Sequence, residues 1–546
     1  MSDLASSSID LNPHDLQEVL QVLNIYLPAV EVRAFGSRVK WTAKPYSDLD
    51  LALMTDHPLS LTQEACLREA FDETTIPFKV DFVDWSSTSE TFRKIIASNS
   101  VVIRPASQTI AEHWVVMTLD EALEALLDYR GKTPEKTTTG IPLITAKIVK
   151  NGRIDSPTEF IASQNYAAWM TRGLPKAGDV VLTTEAPLGE VAQLNTALVA
   201  LAQRIVVLRG KSGVLDNTYL RYLLQTHQMQ EQLAARATGT TVLGIKQSEL
   251  RKIAMRLPPI AQQLAVASTL SGLDDKIELN RRMNETLEAM ARAIFQSWFV
   301  DFDPVRAKVS GEPADSICQR LGLTPELLAL FSDSFEDSEL GEIPQGWLIS
   351  TIGTLANVTG GSTPNTKEPK YWESGIHHWA TPKDLSRLSS PVLLGTERKV
   401  SDEGLAQIGS GLLEPGAVLL SSRAPIGYRA INEVPVAVNQ GFIAMKPSPG
   451  VSKYFLLYWA EWAHDEIVSR ANGSTFLEIS KANFRPIPVI RPADELFTKF
   501  DQYIQPIYKR IVSNERETQL LSEQRDSLLP ELLSGKLLVA SEEDAP

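Results

Sequence analysis

Three aspartates near the N-terminus have the types and spacing of a metal-dependent phosphate site. In the segment VEVRAFGSRVKWTAKPYSDLDLALM, a predicted strand leads into a turn at Gly36 and Ser37, and a second predicted strand carries Asp48 and Asp50. Because alternate residues of a strand point to the same face, we expect these two carboxylates to lie side by side. A third predicted strand, FKVDFVDW, adds Asp81. Paired carboxylates bind hard cations such as Mg²⁺ together with nucleotide phosphates.

This segment resembles the minimal nucleotidyltransferase family, whose pattern is GSRARG, then SDxD, then a lone aspartate on a later strand. The resemblance implies that Gly36 and Ser37 contact a nucleoside triphosphate and that Asp48 and Asp50 hold Mg²⁺. It also implies that Asp81 completes the site and helps to activate the attacking hydroxyl. Paired metals would neutralise charge at the transferred phosphoryl group. The chain departs from the family pattern at positions 39–41, where Val-Lys-Trp replaces small or basic residues.

Other interpretations of residues 1–110 stay open at the level of sequence. The aspartates could cap turns without binding a ligand, or the domain could be folded but inactive. It could also bind a nucleotide without transferring it. If it transfers a nucleotide, the acceptor could be a partner protein or the end of a nucleic acid.

The rest of the chain contains a block of about two hundred residues that occurs twice, at an offset near 234. Such a duplication predicts two domains of similar architecture. Small changes in the offset fall between the matching motifs, where loops absorb insertions. The matching motifs are WVVMTL at 114–119 and WLISTI at 347–352, GKTP at 131–134 and GSTP at 361–364, APLG at 186–189 and APIG at 424–427, and ATGTT at 237–241 and ANGST at 471–475.

Each block is followed by a long helical pattern with apolar residues at 4,3 spacing, which is the seam of a coiled coil. The first seam covers residues 266–298 and the second, 234 positions later, covers residues 500–532. Both are polar in the middle, where Asn280 and Asn514 either fix the register of two packed helices or lie at a solvated edge. About 35 residues make a rod of roughly 50 Å, so the helices are predicted to be spacers.

Composition places limits on the class of protein. A length of 546 residues predicts roughly three to four domains. No apolar run reaches the 18 or so residues of a membrane span, and the N-terminus MSDLASSSIDL does not resemble a signal sequence, so we expect a cytoplasmic protein without a membrane partner. The two cysteines, Cys66 and Cys318, lack the spacing of a disulfide framework or a zinc site.

The net charge of −14 is distributed unevenly along the chain. The two repeated blocks, 114–264 and 345–490, have net charges of +4 and +1. The intervening and flanking segments 1–113, 265–344 and 491–546 have net charges of −7, −8 and −4. Modest positive charge beside acidic helices suits a chain that reads DNA and takes part of its phosphate affinity from a partner.

The repeat plan, AIFQSWFVDFDPVRAK at 293–308, SELGEIPQGW at 338–347 and RDSLLPELLSGKL at 525–537 together resemble the specificity subunit of type I restriction-modification systems. The resemblance covers about residues 112–540. It implies two target recognition domains that read the two halves of an asymmetric double-stranded DNA site, held apart by two antiparallel helices. It also implies protein partners, namely two methyltransferase subunits together with restriction or motor subunits.

Base reading favours Arg, Lys, Asn and Gln side chains that make bidentate contacts. Candidates lie in polar stretches after each GxTP motif and near ATGTT and ANGST, although any one of them could instead be a solvated surface cation. We select Lys132, Lys136, Lys147 and Arg236 in the first block, and Lys367, Lys370, Lys383 and Arg470 in the second.

The repeated part of the chain has no sequence signature of catalysis. It lacks a glycine-rich P-loop and an Asp-Pro-Pro-Tyr or Asn-Pro-Pro-Tyr tetrad, so methylation and cleavage are expected to come from other subunits. Two interpretations of the aromatic cluster at the end of the first helix stay open. It either docks those subunits or closes the helix against its own recognition domain. The cluster consists of Phe295, Trp298, Phe299 and Phe302.

The sequence therefore predicts an α/β multidomain protein that reads DNA as a type I specificity subunit. One alternative is a nucleotidyltransferase that the duplicated module targets to DNA, and a coiled-coil scaffold without base reading is disfavoured by the size and charge of the repeated blocks. The predicted parts are a nucleotidyltransferase-like mixed-sheet head at 1–110, a recognition domain at 112–262, a spacer helix at 263–303, a linker at 304–343, a second recognition domain at 344–492 and a second spacer helix at 493–540.

Overall fold

The computed structural model describes residues 9–27, 30–44, 46–55, 58–59, 61–72, 74–104, 114–131, 133–239, 242–473, 477–537 and 539. These residues form two compact units, one that ends at Gly272 and resumes at Gln524, and one from Leu273 to Glu523. Both long spacer helices cross the boundary between the units. Within the described residues, no helix is long and apolar enough to cross a membrane.

The head is a four-stranded mixed sheet flanked by helices, with strand order β3-β2-β1-β4. Strand β1 matches the strand predicted before the Gly-Ser turn. Helix α1 begins after Asn12, whose side chain accepts a hydrogen bond from the His14 amide, and it buries Leu16, Val19 and Leu23 on one face. The elements are α1 (Pro13–Tyr26), β1 (Val32–Phe35), β2 (Leu49–Leu53), α2 (Leu61–Asp72), β3 (Val80–Asp84), α3 (Glu90–Ser98) and β4 (Ser100–Arg104).

The first recognition domain follows the head. Its core is a four-stranded sheet in the order β12-β11-β14-β6, beside smaller sheets β10-β7-β13 and β15-β5. The elements are β5 (Val115–Thr118), α4 (Leu119–Ala122), β6 (Leu123–Asp128), β7 (Ile141–Ile144), β8 (Val149–Lys150), β9 (Arg153–Ile154), β10 (Phe160–Ile161), α5 (Tyr166–Trp169), β11 (Val180–Thr184), β12 (Leu188–Gln193), β13 (Ala200–Leu201), β14 (Ile205–Gly210), α6 (Asn217–Gln225), α7 (His227–Arg236), α8 (Gln247–Leu250), β15 (Ala254–Leu257) and the spacer helix α9 (Ile260–Phe299).

The part of the chain after α9 contains a helical segment and then the second recognition domain, which repeats this plan. Its elements are α10 (Asp303–Val309), α11 (Ala314–Leu321), α12 (Pro325–Leu328), β16 (Phe335–Ser338), β17 (Gly341–Pro344), β18 (Leu348–Thr351), α13 (Ile352–Leu355), β19 (Ala356–Thr359), β20 (His377–Ala380), α14 (Pro382–Leu385), β21 (Val392–Leu393), β22 (Arg398–Val400), α15 (Asp402–Leu405), β23 (Val418–Ser421), β24 (Arg429–Asn432), β25 (Val436–Val438), β26 (Phe442–Pro447), α16 (Lys453–Trp462), α17 (His464–Ser469), α18 (Lys481–Phe484), β27 (Pro488–Arg491) and the spacer helix α19 (Asp494–Leu533).

Strand pairing demonstrates that the two recognition domains are the same fold. In the second domain, the strand order β19-β26-β23-β24 corresponds to β6-β14-β11-β12 of the first domain, and β21 is added at one edge of the sheet. The small sheets β22-β20-β25 and β18-β27 correspond to β10-β7-β13 and β15-β5. Both APxG motifs also contain a cis peptide bond, at Ala186-Pro187 and at Ala424-Pro425. The predicted duplication is confirmed.

The segment between α9 and the second domain, predicted as a linker, is folded. Its three short helices and the β16-β17 hairpin bury Val305, Leu327 and Phe331 in the hydrophobic core of the second unit. The sequence did not predict this fold, because the segment is acidic and lacks a long periodic run of apolar residues.

The two spacer helices pack antiparallel through a polar layer within the second unit. Asn280 on α9 donates a hydrogen bond to Glu517 on α19 at 2.8 Å, and Asn284 donates to Glu515 at 2.9 Å. Asn514 in turn donates to Asn284 Oδ1 at 2.8 Å. Asn280 and Asn514 are 0% and 1% exposed, so the interpretation as a solvated edge is wrong. Matched amides in an apolar seam favour one register over its alternatives.

Replacing Asn514 with alanine is expected to destabilise the second unit by about 1–3 kcal/mol, because it leaves a buried acceptor on Asn284 without its donor. Differential scanning calorimetry of the full chain measures this as a lower transition temperature. Ser513→Ala changes the exposed neighbouring position and is expected to leave the transition in place. Equal transitions for both variants would show that the amide pair does not stabilise the helix pairing.

The aromatic end of α9 is buried, and its interpretation as a docking surface for other subunits is wrong. Phe295 and Phe299 contact Phe455 of α16, with ring centroids 5.5 and 5.1 Å apart, and Phe302 contacts Trp347 at 5.6 Å. All four aromatic residues are at most 7% exposed. The aromatic end of α9 therefore packs against the recognition domain that follows the helix in the chain, whereas Val266 and Leu270 at its start pack in the core of the preceding domain.

Candidate functional site

The carboxylates of the head converge at the end of β1. Strands β1 and β2 pair Phe35 with Asp50, and the parallel strands β2 and β3 pair Asp50 with Asp81. Gly36 follows directly with φ of +84°, and a Cβ at this position would lie 2.2 Å from Asp50 Oδ2. Only glycine allows the turn to pass this close to the carboxylate. Asp48 precedes β2 and is exposed, so the structure places all three aspartates at one edge of the sheet.

Like charges crowd around Asp50. Burial raises the pKa of the Asp50 carboxyl, and the neighbouring Asp48 and Asp81 raise it further. Asp81 is paired with Lys79 at 2.7 Å, which raises the pKa of that ammonium group through its hydrogen bond. This edge is therefore an anionic site that one lysine only partly compensates.

The residues present fit a divalent cation that arrives with a nucleotide. Among the described residues, no group of three or more His, Cys, Asp or Glu side chains is arranged as a complete metal cage. Mg²⁺ is commonly bound by one or two carboxylates together with substrate phosphates, rather than by an all-protein cage. Carboxylates of this kind are present here, because Asp48 lies two residues before Asp50, and Asp50 is in register with Asp81 on the adjacent strand.

Arg38 positions the loop that presents Asp48, a role that the sequence did not reveal. Its guanidinium donates from Nε and Nη2 to the Ser47 carbonyl at 3.0 and 2.7 Å, and from Nη1 to the Asp10 carbonyl at 3.0 Å. The group lies 3.8 Å from the centre of the Phe78 ring and is 6% exposed. Arg38 therefore stabilises the loop that presents Asp48 to the site. The only sequence signal for it was its place in the GSR motif.

Asp84, at the end of β3, is a buried structural carboxylate. It accepts hydrogen bonds from the Thr55 hydroxyl, from the Leu59 amide at 2.6 Å, and from the Ser86 amide and hydroxyl at 2.8 and 2.7 Å. Burial alone would raise the pKa of Asp84, but these donors outweigh burial and lower it. The carboxylate therefore fixes the loops that follow β2 and β3.

Asp84→Asn is expected to destabilise the head by roughly 2 kcal/mol at neutral pH, because an amide cannot accept all four donors. Since the folded pKa is lowered, this contribution is present above the unfolded pKa of about 4 and is lost as pH falls through the folded value. Amide hydrogen exchange over residues 80–98 of the full chain measures the effect at pH 7 and near pH 3. Asp72→Asn, an exposed change, is the control. Equal protection in both variants at pH 7 would contradict this role.

In the first recognition domain, four loops meet at one edge of the central sheet. The Ile245 amide donates to the Thr184 carbonyl at 3.0 Å, and the Thr184 amide donates to the Arg204 carbonyl at 3.0 Å. Arg130, which precedes the GKTP motif, donates from Nη1 to the Ile245 carbonyl at 2.7 Å. The ATGTT loop joins them through paired backbone bonds between Thr238 and Gly244. We call this the first recognition edge.

The second domain has the same edge, built with equivalent backbone bonds. The Ile479 amide donates to the Ser422 carbonyl at 3.0 Å, and the Ser422 amide donates to the Gly441 carbonyl at 2.8 Å. Asn472 and Glu478 close the ANGST loop as Thr238 and Gly244 close ATGTT. A Cβ on Gly361 would lie 1.6 Å from the Val438 carbonyl oxygen, so the GSTP loop lies directly against the same edge. This is the second recognition edge.

The side chains on the two edges differ although the backbone pattern is shared. Arg204 pairs with Glu185 at 3.1 Å on the first edge, whereas Arg423 pairs with Glu478 at 3.4 Å on the second. The first edge also borders a cavity of about 390 Å³ whose lining includes Arg130, Arg172 and Gln247. On the second edge, Lys481 stands at the position of Gln247 and its Nζ is 3.0 Å from where a Gly360 Cβ would be. Sequence reasoning selected none of these residues, because only the fold brings the loops together.

The described members of the predicted DNA-binding set are exposed or half-buried, and several are already paired. Lys136 pairs with Glu159 at 2.8 Å, Lys383 with Glu397 at 3.1 Å and Arg470 with Glu466 at 2.6 Å. Arg236 is half-buried at the end of α7. Lys132 lies outside the described residues. The remaining three are exposed and have no ion pair with a described residue: Lys147, Lys367 and Lys370.

Two protein families match this architecture. The Type I restriction modification DNA specificity domain matches residues 111–289 and 344–521. The family described as Polymerase beta, Nucleotidyltransferase matches residues 17–108. The first match covers both recognition domains and most of both spacer helices. The chain therefore belongs to the type I restriction-modification specificity family and carries an N-terminal domain of the nucleotidyltransferase family.

Two individual relatives, one for the recognition part and one for the head, agree with this assignment. The chain is 27% identical over 406 residues to the type I restriction enzyme MjaIX specificity subunit of Methanocaldococcus jannaschii, which covers 73% of this chain and 87% of the relative. The head of this chain is 43% identical over 104 residues to the probable protein adenylyltransferase MntA of Haemophilus influenzae, and the match covers 19% of this chain and 91% of that protein. The crystal structure of a type I restriction-modification S subunit from M. genitalium aligns over 77% of this chain and 96% of its own, with 17% identity and a TM-score of 0.46.

Proposed function

We propose that this chain reads a bipartite site in double-stranded DNA and brings methyltransferase and restriction subunits to it. The observation that carries the proposal is the pair of recognition edges, which share a backbone hydrogen-bond pattern and differ in side chains. A shared framework places each edge against DNA in a similar way, and different side chains select different bases. The two half-sites therefore differ in sequence.

Roles for individual side chains follow from their pairing. Lys147, Lys367 and Lys370 are exposed and have no ion pair with a residue that the structure describes, which suits contacts with DNA phosphates. Arg236 and Arg470 flank the ATGTT and ANGST loops, and Arg470, like Lys136 and Lys383, would first have to leave its carboxylate partner. We assign contacts with DNA phosphates to Lys147, Lys367 and Lys370. The three paired cations would contact DNA only after their ion pairs open.

The spacer helices set the distance between the two readers. Each helix is 40 residues long, which corresponds to roughly 60 Å. The buried amides Asn280 and Asn514 select one register, and a single register gives the unspecified gap in the DNA site a fixed length. Two methyltransferase subunits are proposed because the duplicated domains offer two equivalent sets of surfaces. The protein would act in the cytoplasm, where its DNA is.

The head is proposed to bind a nucleoside triphosphate and to transfer its nucleotidyl group. In this reaction an acceptor hydroxyl attacks the α-phosphorus, the bond to the bridging oxygen breaks, and pyrophosphate leaves. Asp81 would accept the hydroxyl proton, the Gly36-Ser37 turn would admit the phosphates, and Asp48 and Asp50 would hold Mg²⁺. When bound, Mg²⁺ would neutralise phosphate charge. A partner protein is the proposed acceptor, which would make the head a regulator of the complex.

Selection from a random duplex library tests the DNA-reading proposal. The full chain, assembled with its methyltransferase subunits, is expected to enrich two short specified blocks separated by a constant number of unspecified base pairs. Enrichment of one contiguous block, or of no sequence, would contradict the proposal. It would favour the second candidate, a nucleotidyltransferase for which the duplicated module serves only as a targeting device.

A further inference from the structure

A cavity of about 330 Å³ lies in the second unit between the start of α16 and the exposed face of α19. None of its lining residues belongs to the loops of the second recognition edge or to the head. Its volume is in the range of sites that bind small ligands. Its lining includes Lys453, Tyr454, Tyr508, Lys509 and Arg516, with Glu433 as the one carboxylate.

The cavity is cationic. Lys453, Lys509 and Arg516 line it together with the single carboxylate of Glu433, so positive charge is in excess. Lys453 is partly compensated, since its Nζ lies 3.9 Å from Glu433. Burial raises the pKa of the half-buried Asp501 carboxyl, and the charge of Lys453 offsets part of that increase. Lys509 and Arg516 are exposed and form no ion pair with a carboxylate in the part of the chain that the structure describes.

Two further features of the lining suit an anion with acceptor oxygens. Tyr508 is 2% exposed, and burial, followed by the nearby Glu433 carboxylate, raises the pKa of its hydroxyl. Glu433 is near enough to compete for this donor, but the geometry between them does not make a well-formed hydrogen bond, nor does that to any other described residue. A buried donor without an acceptor costs about 1–3 kcal/mol unless a ligand or water accepts its hydrogen bond. Lys453 is also the first residue of α16, a helix of 10 residues whose N-terminus carries partial positive charge.

The equivalent positions on α9 are more acidic, although Arg516 corresponds to Arg282 and keeps its charge. Subtracting 234 from Tyr508, Lys509 and Val512 gives Asp274, Asp275 and Glu278 on α9. The positions equivalent to Tyr508, Lys509 and Val512 therefore carry three carboxylates in the first copy, and the excess of positive charge at these positions is found in the second copy.

We propose that this cavity binds a phosphate group, with Lys509 and Arg516 as its charged ligands and Tyr508 as a hydroxyl donor. The phosphate comes either from the backbone of the DNA duplex or from a free nucleotide. The first source rests on the proposed DNA-reading function, and the second does not. In both cases the site recognises charge and oxygen acceptors rather than a base sequence.

The test compares the full wild-type chain with Lys509→Gln/Arg516→Gln. Fluorescence anisotropy measures binding of a duplex of unrelated sequence at several salt concentrations, and isothermal titration calorimetry measures binding of ATP. Arg510→Gln removes a cation from the same helix outside the cavity lining and is the matched control. Arg516→Lys retains the charge and, with unchanged thermal unfolding, shows that the helix pairing is intact.

If the phosphate is that of DNA, the double variant binds the duplex roughly tenfold more weakly and its salt slope falls by about 2, while Arg510→Gln and Arg516→Lys remain near wild type. If it is that of a nucleotide, duplex binding is unchanged and the double variant loses one ATP site that the wild type has. Unchanged binding of both probes overturns the proposal, as does an equal loss in Arg510→Gln. Because sequence selection by the two edges is measured separately, failure here is distinguishable from failure of the DNA-reading function.

Discussion

Replacing Asp48 and Asp50 together with alanine is expected to abolish nucleotide transfer by the head, by roughly 10³-fold or more, and to leave the DNA sequence that the protein reads unchanged. The two carboxylates belong to the anionic edge around Gly36, which lies in the head and outside both recognition edges. Calorimetry should show loss of magnesium-dependent ATP binding. Transfer of label from α-labelled ATP to the methyltransferase and restriction subunits should fall to background.

Two controls distinguish loss of the nucleotide site from loss of the fold. Asp72→Ala removes an exposed carboxylate from the end of α2 and is expected to retain full nucleotide binding. Amide exchange in β2 and β3 should match the wild type, which separates loss of the site from loss of the fold. Wild-type ATP binding in the double variant would contradict the assignment of the site. A changed methylation motif would contradict the separation of the head from DNA reading.

Exchanging residues 356–447 and 470–479 for the matching segments of a relative with another specificity is expected to change one half of the recognised DNA site and to retain the other. These segments contain β19 to β26 and the loops of the second recognition edge. Trp347 and α16, which pack on the end of α9, stay in place. Mismatched base pairs cost about 1–3 kcal/mol each, so recognition of the original site should fall by more than roughly 10³-fold.

Methylation mapping of the chimera is the measurement for this second prediction. The new motif should keep the first half-site and the length of the gap, because the spacer helices are unchanged. A motif altered in both halves would show that the two edges do not read independently. Simple deletion of residues 345–490 is a poorer test, because it would expose the aromatic residues of α9 that the second domain buries.

Local periodicity predicted much of the fold. Strand β1, the strands that carry Asp50 and Asp81, and both spacer helices follow patterns of two or 3.5 residues that depend only on neighbouring positions. The polar layer at Asn280 and Asn514 was visible in the sequence, and the structure decides that it is buried. The repeat motifs could be aligned because glycine and proline restrict the backbone at those positions.

Features that depend on distant residues could not be predicted in this way. An aromatic helix end looks the same in sequence whether it meets another protein or its own chain, so Phe295 and Phe299 were open to both interpretations. Arg38 supports Ser47 and Asp10 through contacts that no motif specifies. The recognition edges combine four loops from each repeated block, and the pairing of Lys136 and Lys383 with carboxylates follows only from that folding.

Genome-wide mapping of methylated adenines, in cells that contain this chain with its methyltransferase subunits, shows whether this chain selects the methylated sequence. We expect one split motif with two different specified blocks and a gap of constant length, and the same motif for Asp48→Ala/Asp50→Ala. The claim that this chain reads DNA would be contradicted if no split motif appeared although the same methyltransferase subunits were active with another specificity subunit. Loss of the motif in the double variant would instead place nucleotide transfer at the centre of its function.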